Sequence, residues 1–88
     1  MFENKCYTNA QIMMFIAQSM KYPDHIKSIK EIDDNGLVVE WRSTTFIVHK
    51  NLSVYEYDDG VAIGSDIAIL IERIIRRPAV EFEINSKE

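Results

Sequence analysis

One cysteine, three glycines and two prolines in 88 residues leave this chain few covalent or conformational staples. The lone Cys6 excludes an intrachain disulfide, and its expected role is that of a small apolar side chain or an inert thiol. Scarce glycine and proline, set against 47% hydrophobic residues, exclude a disordered chain. No apolar run approaches the ~18 residues needed to span a bilayer. The opening residues lack a basic start followed by an apolar stretch, so no secretory signal is read and a cytoplasmic location is expected. Basic excess is missing too: the net charge is −4 and the pI about 5.1. That balance opposes nonspecific attraction to nucleic acid or anionic lipid, and neither is expected as a partner.

What remains is a small acidic protein with much apolar surface to hide. Residues 1–88 form one compact domain, since a chain of this length has no room for a second core, with 85–88 expected to fray. Folding at this size buries only about 60–65% of the unfolded surface. Several apolar residues have no evident place in such a core, and self-association follows as the expectation.

The pattern along the chain predicts an α+β fold. Thr8-Asn9-Ala10-Gln11 has the spacing of a capping box and opens a helix ending near Lys21 or Tyr22, before Pro23. Its apolar stripe is Ile12, Met13, Ile16, Ala17 and Met20, with Met14 and Phe15 on the flanks. His25 to Asp33 reads as a strand with a bulge or change of face, because Ile26, Ile29 and Ile32 recur every third residue. Asp34-Asn35-Gly36 then supplies a hairpin signal, Asn-Gly tolerating the positive φ of a type I′ turn. Leu37, Val39 and Trp41 alternate in a second strand, Thr45–His49 gives a third, and Ser53–Asp58 a fourth. Asp58-Asp59-Gly60 is expected to end this four-stranded antiparallel meander. Ser65 caps a second helix, Asp66 complements its dipole, and Pro78 is expected to stop it. The strict alternation of Val80, Phe82 and Ile84 predicts a short C-terminal strand, paired within the subunit or with a partner. Both helices are expected on one face of the sheet, each having an apolar arc to bury.

Chemistry is thinly represented. His25 and His49 fall at opposite ends of the predicted sheet, and neither they nor Cys6 has zinc-site spacing. Asp33-Asp34 and Asp58-Asp59 lack the EF-hand pattern and read as turn chemistry. Gly60 to Ser65 lacks both the P-loop ending and dinucleotide-type glycine spacing. Trp41, Tyr55 and Tyr57 are candidates for one shared face, but their neighbours Glu40, Glu56 and Asp58 do not suit an RNA platform. No catalytic residue, metal or cofactor is expected, and the chain is read as not an enzyme.

One cluster stands out. Ile69 interrupts the polar arc of the second helix, beside Arg73 and Arg76. Arginine framing an apolar residue is typical of protein-contact patches. Glu72–Arg76 pairing and dipole complementation are the plainer role of these arginines, with Lys27 and Lys30 as candidate neighbours. The expected partner surface therefore comprises Met14, Phe15, Ile69, Arg73, Arg76, Val80, Phe82 and Ile84. The function expected is a small non-enzymatic protein-interaction or regulatory module, homodimeric or bound to another protein. The alternative is a small-ligand pocket between helices and sheet, lined by Met13, Met14 and Met20. There Arg73 or Arg76 would hold an anionic group, as in an inhibitor or sponge protein of a phage or mobile element.

Overall fold

The structure, a computed structural model, describes residues 6–19, 26–33 and 36–86. Helix α1 (Asn9–Ser19) leads into strands β1 (Ile26–Asp33), β2 (Gly36–Trp41), β3 (Thr44–His49), β4 (Val54–Asp58) and β5 (Val61–Ile63), followed by helix α2 (Asp66–Ser86). The five strands lie in chain order and every neighbouring pair is antiparallel. The fold is α+β, as the sequence pattern predicts. Its meander has one more strand than expected, and its last strand precedes α2 instead of following it.

The capping box forms as its spacing implies. The Gln11 amide donates to Thr8 Oγ1 at 3.1 Å, and the Thr8 amide donates to Gln11 Oε1 at 3.0 Å. At the start of α2 the Ala68 amide donates to Ser65 Oγ at 3.2 Å, an N-cap bond. The expected end of the first helix, together with Met20 and His25, lies outside the described residues.

Strand β1 carries the anticipated irregularity twice. Register slips occur between Ile26 and Ser28 and again between Glu31 and Asp33. These bulges reconcile the three-residue isoleucine spacing with a sheet, turning Ile26 and Ile29 to the face that carries Trp41 and Val39. Ile32 stays 47% exposed.

The core is a single layer between helices and sheet. Ile12, Phe15 and Ile16 of α1 meet Ala68, Ile71, Ile75 and Ala79 of α2 over Leu37, Val39, Phe46, Val48 and Val54 of the strands. Both helices therefore cover one face. On α1 the buried arc turns toward Phe15, while Met13 and Ala17, expected inside, face outward. Leu52 plugs the end of this layer: fully buried at a φ of 68°, it closes a turn in which its amide donates to the His49 carbonyl at 2.9 Å.

The C-terminal segment is the main correction. Residues 79–84 continue α2 through Pro78 and form no strand, and Asn85 and Ser86, expected to fray, are helical too. Pro78 removes one amide and crowds the Ile74 carbonyl, at a cost of about 3 kcal/mol in an exposed helix. Burial of Ala79 and packing of Phe82 against the core favour continuing the helix. The Phe82 ring meets Phe15 edge-on at 5.7 Å, and Phe15 meets Tyr7 edge-on at 5.2 Å. A three-residue alternation is compatible with i, i+2, i+4 on a helix, and tertiary contacts decide between the two.

Tyr7 adds a hydrogen bond to this aromatic chain, donating its hydroxyl to Glu83 Oε1 at 3.2 Å. Burial first, and then the bond to and charge of Glu83, raise its pKa above the ordinary 10.0. A group whose folded pKa is raised stabilises fully below its unfolded value, and that contribution is lost as pH climbs through the folded value. Urea titrations of wild type and Tyr7→Phe should therefore differ by a constant amount up to about pH 9.5. Above pH 10 the wild-type advantage should shrink. A difference that stays flat to pH 12 would detach Tyr7 from Glu83.

Candidate functional site

Helix α2 is the longest element, 21 residues from Asp66 to Ser86, and only one side of it is covered. Ala68, Ile71, Ile75, Pro78 and Ala79 are buried, with Phe82 half-buried beside them. At 100° per residue these six share one arc, and the opposite arc is centred near Arg73. Ile69, Arg73, Arg76, Val80 and Ile84 lie within about 80° of one another there. They form a stripe roughly 22 Å long at 1.5 Å per residue. Ile69 is 53% exposed, Val80 36% and Ile84 58%, and Leu70 alongside them is 55% exposed. Leu70 thus belongs to the outer face as well. A surface helix normally turns charged and polar groups outward; this one shows four large aliphatic side chains among arginines.

Five of the eight residues read from sequence as a partner surface thus fall on one stripe. Met14 is exposed on α1. Phe15 is not at the surface: it is fully buried at the centre of the core. Phe82 packs against that core and not outward. The sequence turns Phe15 outward because the apolar arc of α1 taken alone is wide, and Phe82 because the alternation after Pro78 reads as a strand open to a partner. The structure fills that arc with Tyr7 and the end of α2.

The arginines separate. Arg76 Nη2 pairs with Glu72 Oε2 at 3.4 Å, the i, i+4 pair expected, while Glu72 Oε1 accepts the Val54 amide at 3.0 Å. Glu72 therefore ties α2 to the start of β4 and holds Arg76 along the helix. Arg73 and Arg77 are exposed. Lys27 and Lys30 are not neighbours of this group, since β1 lies three strands from β4, the strand on which α2 packs.

The remaining candidates are dispersed. Trp41 shares the helix-side face with Leu37 and Val39, opposite Tyr55 and Tyr57, so the three aromatics form no common platform. The Arg42 guanidinium sits 5.1 Å from the Trp41 ring centroid. His49 stacks edge-on against Tyr55 at 5.6 Å. Cys6 is exposed. Among the described residues no three His, Cys, Asp or Glu side chains converge as a metal site would require. The space between helices and sheet is filled by Phe15, Phe46, Ile12, Ile16 and Leu37, all fully buried. The open groove at the end of α1 is lined by Gln18, Ser19, Ile74, Arg77, Pro78 and Glu81; Met13 and Met14 are not among these residues, nor are Arg73 and Arg76. Asp33-Asp34 falls partly outside the described residues.

The segment from Gly60 to Ser65 was expected to be a connector and is instead the edge of the sheet. Asp59 and Gly60 have φ of 49° and 81°, and Asp58 pairs with Val61 across them. These are the features of a two-residue type I′ hairpin, for which Asp-Gly is a favoured sequence. Val61, Ala62 and Ile63 are all exposed.

No helix among the described residues is long and apolar enough to cross a membrane. No family model, curated protein or solved structure matches this chain.

Proposed function

We propose that this chain is a small non-enzymatic protein-interaction module that acts as a homodimer through the outer face of α2. The observation that carries the reading is the exposed stripe of Ile69, Leu70, Val80 and Ile84 on a helix already anchored by its other side. Water contact with four aliphatic side chains is a standing cost that a second apolar surface removes, at about 25 cal/mol per Å² buried. Two copies of α2 crossing antiparallel about a two-fold axis bring the Ile69 end of one against the Ile84 end of the other. In the same register Arg73 lies opposite Val80, its aliphatic stem against an apolar side chain, and Arg76 near the axis keeps Glu72 of its own helix.

Light scattering coupled to size exclusion tests this directly. The wild-type protein is expected at twice its 10.2 kDa chain mass at micromolar concentration. Ile69→Glu and Ile84→Glu, each placing a carboxylate in the apolar ends, should weaken association by more than about tenfold while leaving the fold intact. A wild-type protein that stays monomeric, or variants that dimerise equally well, would end the proposal.

A further inference from the structure

The two edges of the sheet are built differently. Strand β1 carries Lys27, Lys30, Glu31 and Asp33 and breaks register twice. Charges and bulges of this kind keep foreign strands from pairing with an edge. Strand β5 is three residues long, Val61-Ala62-Ile63, with no charge, proline or bulge. Val61 is 58% exposed and Ile63 42%, both on the helix-side face of the sheet. Shortness is its single protection. In a two-residue hairpin the closing pair Asp58–Val61 exchanges both of its hydrogen bonds, so alternation turns the amide and carbonyl of Ala62 outward. Gly64, which follows, is exposed and has open space where a Cβ would sit.

The charge around this edge states what would pair with it. From Asn51 to Glu72 the sequence holds five acidic residues and no lysine, arginine or histidine. Glu72 is committed to Arg76 and the Val54 amide. Glu56, Asp58, Asp59 and Asp66 remain, and they bracket β5 in sequence; Glu56 and Asp58 also pair with its two end residues. Four carboxylates with no basic residue among them thus surround β5 in sequence. Antiparallel pairing of β5 with β5 of a second copy would set these carboxylates against their own kind. We infer that the β5 edge accepts an extended segment of another protein, apolar at its centre and carrying lysine or arginine at both flanks, by adding a sixth strand. The backbone of Ala62 supplies the central rung, Val61 and Ile63 the apolar contact, and the four carboxylates the orientation. The β5 edge and the outer stripe of α2 are different surfaces that adjoin at Asp66, one turn before Ile69.

The probe is a blocked seven-residue peptide of alternating valine and threonine with lysine at each end, compared with a counterpart ended by glutamate. Binding is followed by amide chemical shifts and by hydrogen exchange at Ala62, in wild type and in the Ile69→Glu background. The lysine-ended peptide should shift Val61, Ala62 and Ile63 and slow exchange at Ala62, the glutamate-ended one should not. Raising salt from about 50 to 300 mM should weaken binding by about fivefold or more. Asp59→Asn, which keeps a residue tolerant of positive φ, and Asp66→Asn should each weaken it several-fold with the fold unchanged. Ala62→Pro should abolish it. Equal binding of both peptides, or shifts that bypass β5, would overturn the inference. So would protection of Ala62 that grows with protein concentration and no peptide, since the occupant would then be a second copy. Persistence of binding in monomeric Ile69→Glu protein keeps this test distinct from the homodimer.

Discussion

Phe15→Ala should remove about a quarter or more of the folding free energy. The side chain is fully buried, and truncating a buried phenylalanine typically costs ~3–5 kcal/mol, part lost transfer energy and part residual cavity. A domain of 88 residues is held by ~4–13 kcal/mol in total. The cavity would open where three segments meet, because Phe15 touches Tyr7 before α1 on one edge and Phe82 near the end of α2 on the other. Loss of the ring loosens the last turns of α2 along with α1, so helix signal should fall before the sheet melts. In urea the midpoint should drop by about 1–5 M, since m for a small domain is ~1–3 kcal/mol per molar. Met14→Ala, one residue away but 36% exposed, should cost well under half as much. If the two truncations cost the same, or if Phe15→Ala acts on association and leaves monomer stability unchanged, Phe15 is a surface residue and the core is wrongly drawn.

The architecture was legible in the sequence wherever a local rule had a single physical meaning. Thr8 and Gln11 cap α1 reciprocally because the spacing allows little else, and Ser65 caps α2 for the same reason. The alternation in β2 through β4 is long enough, and bounded well enough by turns, to fix those strands. The errors fall where one pattern has two readings. Asn35-Gly36 and Asp59-Gly60 are equivalent hairpin signals, yet the first was read as a turn and the second as the end of the sheet. The register keeps the first hairpin but places Gly36 within β2, paired with Asp33 and His49, and adds a hairpin at Asp59 and Gly60, the central turn residues with positive φ. The cue for β5 is the run Val61-Ala62-Ile63 after Asp-Gly, but three residues before the Ser65 cap are too few for a strand period to register. Pro78 misled in the opposite direction. Proline ends helices when nothing beyond it is buried, and the sequence does not say that Ala79 and Phe82 have a core to enter. On the outer face of α2, helical spacing groups Ile69, Arg73 and Arg76 in the sequence, whereas Val80 and Ile84, read there as a strand, join them only because the helix continues through Pro78. Placing Phe15 and Phe82 required knowing that the two ends of the chain meet through Tyr7 and Glu83.

The same distinction between turn glycine and strand glycine makes Gly36→Ala strongly destabilising. A Cβ built on Gly36 would lie 2.8 Å from the Val48 carbonyl oxygen and 3.6 Å from the His49 Cα. Both are backbone atoms of β3, held in a ladder that pairs Gly36 with His49 and Leu37 with Val48, so no rotamer change relieves the clash. The strand must move or the register must slip, and overpacking of this kind costs ~1–3 kcal/mol. Leu37 and Val48, both fully buried, would shift with it. Gly60→Ala, at a φ of 81°, should cost about 1–2 kcal/mol through its backbone alone. Gly64→Ala, with open space around it, should be neutral or stabilising by up to about 1 kcal/mol, because it restricts the unfolded chain. Asparagine separates the two roles most sharply. It tolerates positive φ, so Gly60→Asn should be nearly silent, whereas Gly36→Asn should be worse than Gly36→Ala because its side chain is larger. Urea midpoints for the five variants give the order. A Gly36→Asn protein as stable as wild type would return Gly36 to the turn and shift the β1–β2 register by one residue, which would exchange the buried and exposed faces of one strand relative to the other.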